Sequence, residues 1–173
     1  KKTDFGVYLG TGADKVLLPK KQVPEDIEIG DALTVFIYKD SSDRLIATTN
    51  KPKVQLGGLA RLKVCEVSNI GAFLDWGLEK NILLPYKEQT THVNQGEEYL
   101  VALYIDRSNR LAATMKVSRY LTTTDKYVKD SAVSGTVIGI KPDHGIYVAI
   151  DDAYYGFITR NEMSDDIKIE SLL

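Results

Sequence analysis

QGEEYLVALYIDRSNRLAATMK (Gln95–Lys116) repeats IGDALTVFIYKDSSDRLIATTNK (Ile29–Lys51), and this pair decides the fold. Pro19, Gly30, Tyr38, Arg44, Leu45, Ala47 and Thr48 recur 66 residues later as Pro85, Gly96, Tyr104, Arg110, Leu111, Ala113 and Thr114. Upstream, DFGVYLG (Asp4–Gly10) matches NIGAFLDWG (Asn69–Gly77), with Gly6 lying 65 residues before Gly71. KVLLPKK (Lys15–Lys21) likewise matches NILLPYK (Asn81–Lys87), and one inserted residue between the blocks explains the change of offset. Self-similarity at a fixed period marks a chain built from copies of one small module. A third copy begins late: SGTVIGIKPDHGIYVAI (Ser134–Ile150) and YGFITRNEM (Tyr155–Met163) match the first half of copy two at an offset of 74. Gly145 then corresponds to Gly71, and Ile158 to Leu84. Copy one lacks a counterpart of LARLKVCEV (Leu59–Val67), and copy three lacks the second half of copy two. Both outer copies read as cut, which predicts that the chain is a piece of a longer protein.

Within each copy the periodicity is that of strands. Tyr99, Val101, Leu103 and Ile105 alternate with Leu100, Ala102 and Tyr104, and Leu33, Val35 and Ile37 alternate with Thr34, Phe36 and Tyr38. A period of two puts the first set of each on one face, toward a core. By the same rule Ala72, Leu74 and Trp76 face in, and Phe73 and Asp75 face out. Ser41-Ser42-Asp43 and Ser108-Asn109 supply turn chemistry between consecutive strands. Gly6, Gly71 and Gly145 interrupt strand patterns, where glycine suggests a bulge or a sharp bend. Copy two then counts five strands, near 59–67, 71–76, 81–85, 98–106 and 110–116. The expected fold is all-β: tandem five-stranded barrels in three copies, the outer two incomplete. Expected boundaries are a first barrel over 1–52, a complete barrel over 53–119, a polar linker over 120–132 and a partial barrel over 133–173.

Composition narrows the function. The 173 residues carry 22 basic and 24 acidic side chains, and hydrophobic residues make up 43%, which suits packed cores. No apolar run approaches the roughly 18 residues of a membrane helix. One cysteine, Cys65, excludes an internal disulfide framework and fits a small strand side chain in a reducing, cytoplasmic compartment. With two histidines, His92 and His144, no Cys/His metal site is expected. No Ser/His/Asp order and no Gly-rich phosphate loop is present, so neither catalysis nor a cofactor is expected.

The order G-A-F-L, then I-L-L-P followed by a charged residue, then G-E-E-Y-L-V-A-L-Y-I-D-R-S-N-R-L resembles the RNA-binding repeat of the ribosomal protein S-one family. That resemblance implies an OB-fold barrel in each copy. The tandem arrangement, with F-I-Y-K-D-S-S-D-R-L-I-A-T-T-N in copy one, resembles more narrowly the conserved virulence factor B group of bacterial proteins. The S-one family holds RNA with two aromatics around the glycine, a histidine in the third strand, and an Asp and Arg at the last turn. Carried over, copy one offers Phe5, Tyr8, Asp40 and Arg44, with Pro19 where the histidine would stand. Copy two offers Phe73, Asp106 and Arg110, with Arg107 adjacent, while Ile70 replaces one aromatic and Pro85 the histidine. Copy three offers His144 and Tyr147, with Thr159 at the histidine position.

The candidate nucleic-acid contacts are therefore Phe5, Tyr8, Arg44, Lys63, Phe73, Arg107, Arg110, His144 and Tyr147. Stacking on exposed rings beside cations is how unpaired bases are held. Residues 1–52 carry 8 basic and 8 acidic groups, 53–120 carry 9 and 7, and 121–173 carry 5 and 9. Phosphate attraction thus favours copy two, and the acidic third copy, with Asp151, Asp152, Asp165 and Asp166, is a candidate protein-facing surface. The reading is a non-enzymatic, cytoplasmic binder of single-stranded RNA, with single-stranded DNA as a second ligand, no membrane contact and a role in post-transcriptional control. The alternative is a protein-interaction scaffold of such barrels.

Overall fold

The computed structural model describes residues 2–10, 14–40, 42–164 and 166–173. Strands and short 3-10 turns make up the regular structure, and three sheets follow one another along the chain. The first contains β1 (Lys2–Thr3), β2 (Gly6–Leu9), β3 (Val16–Pro19), β4 (Phe36–Lys39) and β5 (Leu45–Thr48), in spatial order β1-β2-β3-β5-β4. The second contains β6 (Leu59–Ser68), β7 (Gly71–Asp75), β8 (Ile82–Pro85), β9 (Glu98–Ile105) and β10 (Leu111–Thr114), in order β10-β9-β6-β7-β8. The third contains β11 (Gly135–Lys141), β12 (Gly145–Ile150) and β13 (Tyr154–Thr159) as an antiparallel meander. The five strands of copy two fall where the alternation puts them, and the architecture is all-β with OB-type barrels.

The second barrel shows how the module closes. The ten-residue β6 pairs with β7 along one edge and with β9 along the other. The two outermost strands, β8 and β10, are joined by Met115 N–H donating to Glu88 O at 2.9 Å and Thr114 Oγ1 donating to Glu88 Oε2 at 2.7 Å. Leu62, Val64, Ala72, Leu74, Leu84, Val101 and Leu103 fill the interior and are fully buried. In the first sheet Gln22 takes the place of Glu88, with Thr48 Oγ1 and Thr49 N–H donating to its Oε1.

The three glycines do not sit at bulges. Gly6, Gly71 and Gly145 start β2, β7 and β12 with φ of 146°, 148° and 145°, a region closed to L side chains. A Cβ there would lie 2.0 Å from Leu18 O, 2.2 Å from Leu84 O and 2.1 Å from Ile158 O, each a backbone carbonyl of the neighbouring strand. The bulges fall one strand earlier, where the register slips between Val64 and Glu66 and between Val137 and Gly139. Cys65, exposed in β6, and Ile138 in β11 are the extra residues.

Two expectations from alternation fail, each for its own reason. Ile37 and Ile105, expected to face in, are 49% and 51% exposed. Leu100 and Ala102, expected on the opposite face of β9 from the core, are fully buried. The chain divides into two compact units, Lys1–Pro52 with Gly77–Glu79, and Lys53–Trp76 with Lys80–Leu173. The second barrel and the third sheet share the latter, and Leu100, Ala102, Val117 and Ala149 form a core between them, flanked by Leu59, Tyr120, Leu121 and Ile138. β9 is thus covered on both faces along its first half. In the first sheet β1 is only two residues long, and Leu33 and Val35 line an open cleft of about 580 Å³ with Val7, Leu9, Ile27 and Ile29.

A polar latch accompanies the apolar junction. Residues 170–173 run along β11: Glu170 N–H donates to Val137 O, Val137 N–H to Ser171 O, and Gly135 and Leu173 exchange both bonds at 2.8–3.1 Å. Gly96 makes the same backbone bond to Val64 O in copy two, with φ of 88°. Glu170 keeps that left-handed conformation, φ 72°, without being glycine. Its carboxylate reaches the second barrel, accepting from Leu100 N–H at 3.1 Å and lying 3.7 Å from the Arg61 guanidinium, which also donates to Thr136 Oγ1 at 3.0 Å. Burial pushes the Glu170 carboxyl above the usual carboxylate range, with Asp152 adding to the rise and Leu100 N–H and Arg61 opposing it.

Two outcomes follow. Gly71→Ala destabilises the chain by about 3 kcal/mol, since strain and collision with Leu84 O act together; a midpoint in urea within error of wild type refutes the close-approach account. The unfolded chain ionises Glu170 at lower pH than the folded chain does, so its contribution to stability is complete below the ordinary carboxyl range and declines as pH rises through the raised value. Wild type therefore loses stability relative to Glu170→Gln as pH rises above the ordinary carboxyl range, about pH 4. Denaturation at a series of pH values checks this, and a constant gap between the two proteins contradicts it.

Candidate nucleic-acid interface

Each barrel turns one repeated position of its second strand to the outer face. Register pairs Tyr8 with Leu17, Phe73 with Leu83 and Tyr147 with Phe157, while the preceding residue pairs inward, Ala72 with Leu84 and Ile146 with Ile158. Tyr8 is 39% exposed, and Phe73 and Tyr147 are half-buried, with their rings on the outside of the sheet. The residue before the glycine is also placed alike in the three copies. Phe5 O accepts from Lys20 N–H at 2.9 Å, Ile70 O from Tyr86 N–H at 3.4 Å, and His144 O from Arg160 N–H at 3.0 Å. This bond fixes the turn and directs the side chain to solvent: Phe5 is 78% exposed, and Ile70 and His144 are exposed as well.

The last turn explains its own sequence. Asp40 Oδ1 accepts from Ser42 N–H at 2.8 Å and Arg44 N–H at 3.0 Å, and Asp106 Oδ1 accepts from Ser108 N–H and Arg110 N–H at the same two distances. Asp43 and Asn109, with φ of 59° and 58°, take the left-handed step that closes each turn. The two aspartates therefore lock the turn, and the arginines are what the turn presents. Arg44 folds back onto Asp40, its Nε and Nη2 donating to Oδ2 at 3.0 and 2.8 Å, yet remains largely exposed. The Arg44 N–H, its guanidinium and the Ser42 N–H hold the Asp40 carboxyl below the usual range. Arg107 and Arg110 are exposed at the tip of the β9–β10 turn.

Around Phe73 the outer face of the second barrel is mixed in charge. Lys63 is exposed opposite Asp75, which pairs with Lys53 at 2.6 Å, and Glu66 stands beside Phe73 in register. The third sheet differs. Gly139 takes the place of Glu66 beside Tyr147, and on the other side lie Tyr155 and Phe157, which the sequence reading missed. Their signal was present in YYGFIT, Tyr154–Thr159, where two rings two residues apart share a face.

Among solved structures, a multidomain protein with nucleic-acid-binding domains from Streptococcus pneumoniae matches all of this chain and 64% of its own, with a TM-score of 0.62 at 19% identity, a likeness of fold. YitL of Bacillus subtilis is 29% identical across 98% of this chain and 59% of its own length. Conserved virulence factor B of Staphylococcus saprophyticus is 27% identical across 92% and 57%, and that of Staphylococcus aureus 26% across 88% and 54%. The chain thus spans little more than half the length of these relatives. The model of the S1 domain matches residues 1–50 and 56–116, and with the barrel topology and the repeated outer-face positions it follows that this chain belongs to the S1 domain family.

Proposed function

We propose that the chain binds single-stranded RNA on the outer faces of its barrels, without catalysis, and acts in the cytoplasm in post-transcriptional control. The observation that carries this reading is the recurrence of Tyr8, Phe73 and Tyr147 at one outward register position, with Phe5 and His144 at the turn before it. Aromatic faces stack on any base, so the binding tolerates sequence. Arg44, Arg107, Arg110 and Lys63 supply cations for the backbone. Each module offers few contacts, and linkage makes the sum: one strand held at two sites gains from effective concentration. Membership of the S1 domain family supports the reading, as does the description of the pneumococcal neighbour as carrying nucleic-acid-binding domains.

A scaffold that binds protein is the second reading. It is favoured by the acidic balance of residues 121–173 and by exposed Ile37, Leu45, Leu56 and Ile105.

Titration of labelled oligo-U and oligo-A, with DNA of the same length beside them, tests the proposal. Three arginines meeting phosphates give a slope of log affinity on log salt near −2, and Phe73→Ala with Arg110→Ala weakens binding about tenfold or more. No binding at tens of micromolar in low salt rejects the reading. A lysate partner kept after nuclease treatment then favours the scaffold.

A further inference from the structure

The second barrel and the third sheet share one compact unit, and more than the connecting chain joins them. Leu100, Ala102, Val117 and Ala149 are all buried where the two meet, with Leu59, Tyr120, Leu121 and Ile138 packed around them. Arg61 crosses this junction. It pairs with Leu100 in register, and its guanidinium donates to the buried Thr136 Oγ1 of β11 at 3.0 Å. The Glu170 carboxylate, 3.7 Å from that guanidinium, accepts from Leu100 N–H and so closes the polar margin back onto β9. The Arg61 side chain is only 22% exposed, so one of the basic groups that favour copy two is withdrawn from solvent. Residues 120–132, expected as a polar linker, are tied down as well. Thr122 N–H donates to Ala153 O at 3.0 Å, and Tyr155 N–H donates to Thr122 O at 2.9 Å, a bridge along β13. The Tyr127 hydroxyl donates to Asp151 Oδ2, and Lys126 Nζ lies 3.7 Å from the same carboxylate and 5.1 and 5.7 Å from the ring centroids of Tyr127 and Tyr154.

We infer that the second barrel and the third sheet work as one rigid platform, whose geometry is set by the Arg61 junction and not by the length of the segment that connects them. A module built to swing on a tether would leave Leu100, Ala102 and Val117 in water, an apolar patch on its outer side that folded chains avoid. Packing removes that patch and couples the two parts, because a core lost in one uncovers surface that the other keeps buried. The consequence for a ligand rests on the proposed RNA binding. On a flexible tether, the gain from a second site falls as the tether lengthens, since the effective concentration of one module near the other is diluted. On a packed platform the second face stands at one distance and one angle whatever the tether does. Arg61 is then a positioning residue, which orients the third sheet without touching the ligand.

Two measurements on the full chain test this. Trp76, the single tryptophan and 3% exposed, reports the second barrel by its fluorescence. Ile146→Ala opens a cavity inside the third sheet, in a cluster separate from the junction. The expected result is a lower urea midpoint at Trp76, and no such shift once Arg61→Met with Ala149→Asp has opened the junction. A Trp76 midpoint that Ile146→Ala leaves unchanged overturns the inference. The second measurement inserts about forty Gly and Ser residues between Ala132 and Val133 and titrates labelled oligo-U long enough to reach both faces; a swinging tether would lose about eightfold in affinity. The platform predicts affinity within about twofold of wild type for the insert, and a loss of about tenfold or more for the opened junction. An eightfold loss in the insert overturns it. If wild type binds no oligonucleotide, the RNA reading falls, and the Trp76 midpoints alone decide whether the two parts are one body.

Discussion

The structure depends on three places where one strand runs so close over the next that no side chain fits between them. At Gly6, Gly71 and Gly145 the space for a Cβ is taken by a carbonyl oxygen of the adjoining strand. The turn preceding each glycine is then fixed by a backbone bond from the far end of that same neighbouring strand. Sharp coiling lets a short sheet curl enough to hide its edges, which a module of some sixty residues needs to hold a core. The contact also determines which way the next residues point: once the glycine is seated, Tyr8, Phe73 and Tyr147 have no choice but the convex side. The outward placement of these rings is thus a by-product of closure.

The convex sides are not equivalent. Part of the second barrel's outer surface, around Leu100 and Ala102, is spent on packing against the third sheet, and the Arg61–Glu170–Leu100 cluster seals its polar margin. The strip bearing Phe73 and Lys63 lies outside that junction. The third sheet uses Ala149 and Ile138 for the junction and leaves its other end, with the three rings, facing solvent. The bulge at Ile138 makes this division of labour feasible, because the extra residue rotates one side chain toward the second barrel while Gly139 stays beside Tyr147.

Much of this was legible in the residues. The repeat located the strands of copy two, and alternation separated Ala72, Leu74 and Trp76 from Phe73 and Asp75 because a barrel strand has one wet and one dry side. The same rule misjudged Leu100 and Ala102, since strict alternation presumes water on one face, and there a second sheet replaces water. It misjudged Ile37 and Ile105 because each lies toward a strand end, past the reach of the interior. The aspartates at 40 and 106 were read through the family as part of a binding face, whereas their carboxylates are taken up by backbone N–H groups, a use that spacing alone does not distinguish. Tyr155 and Phe157 join Tyr147 on one face only through the pairing of β12 with β13, which the string Y-G-F-I-T does not display.

The four residues from Glu170 to Leu173 act as a selvedge. They cover the outer margin of β11 with backbone bonds, and through Glu170 they also satisfy an amide on β9. Without them the margin of β11 and one amide of β9 lie unpaired. Such margins template the addition of foreign strands. One short segment thus guards a strand margin and, through Glu170, ties the third sheet to the second barrel, so that edge protection and sheet-to-barrel attachment are lost or kept together.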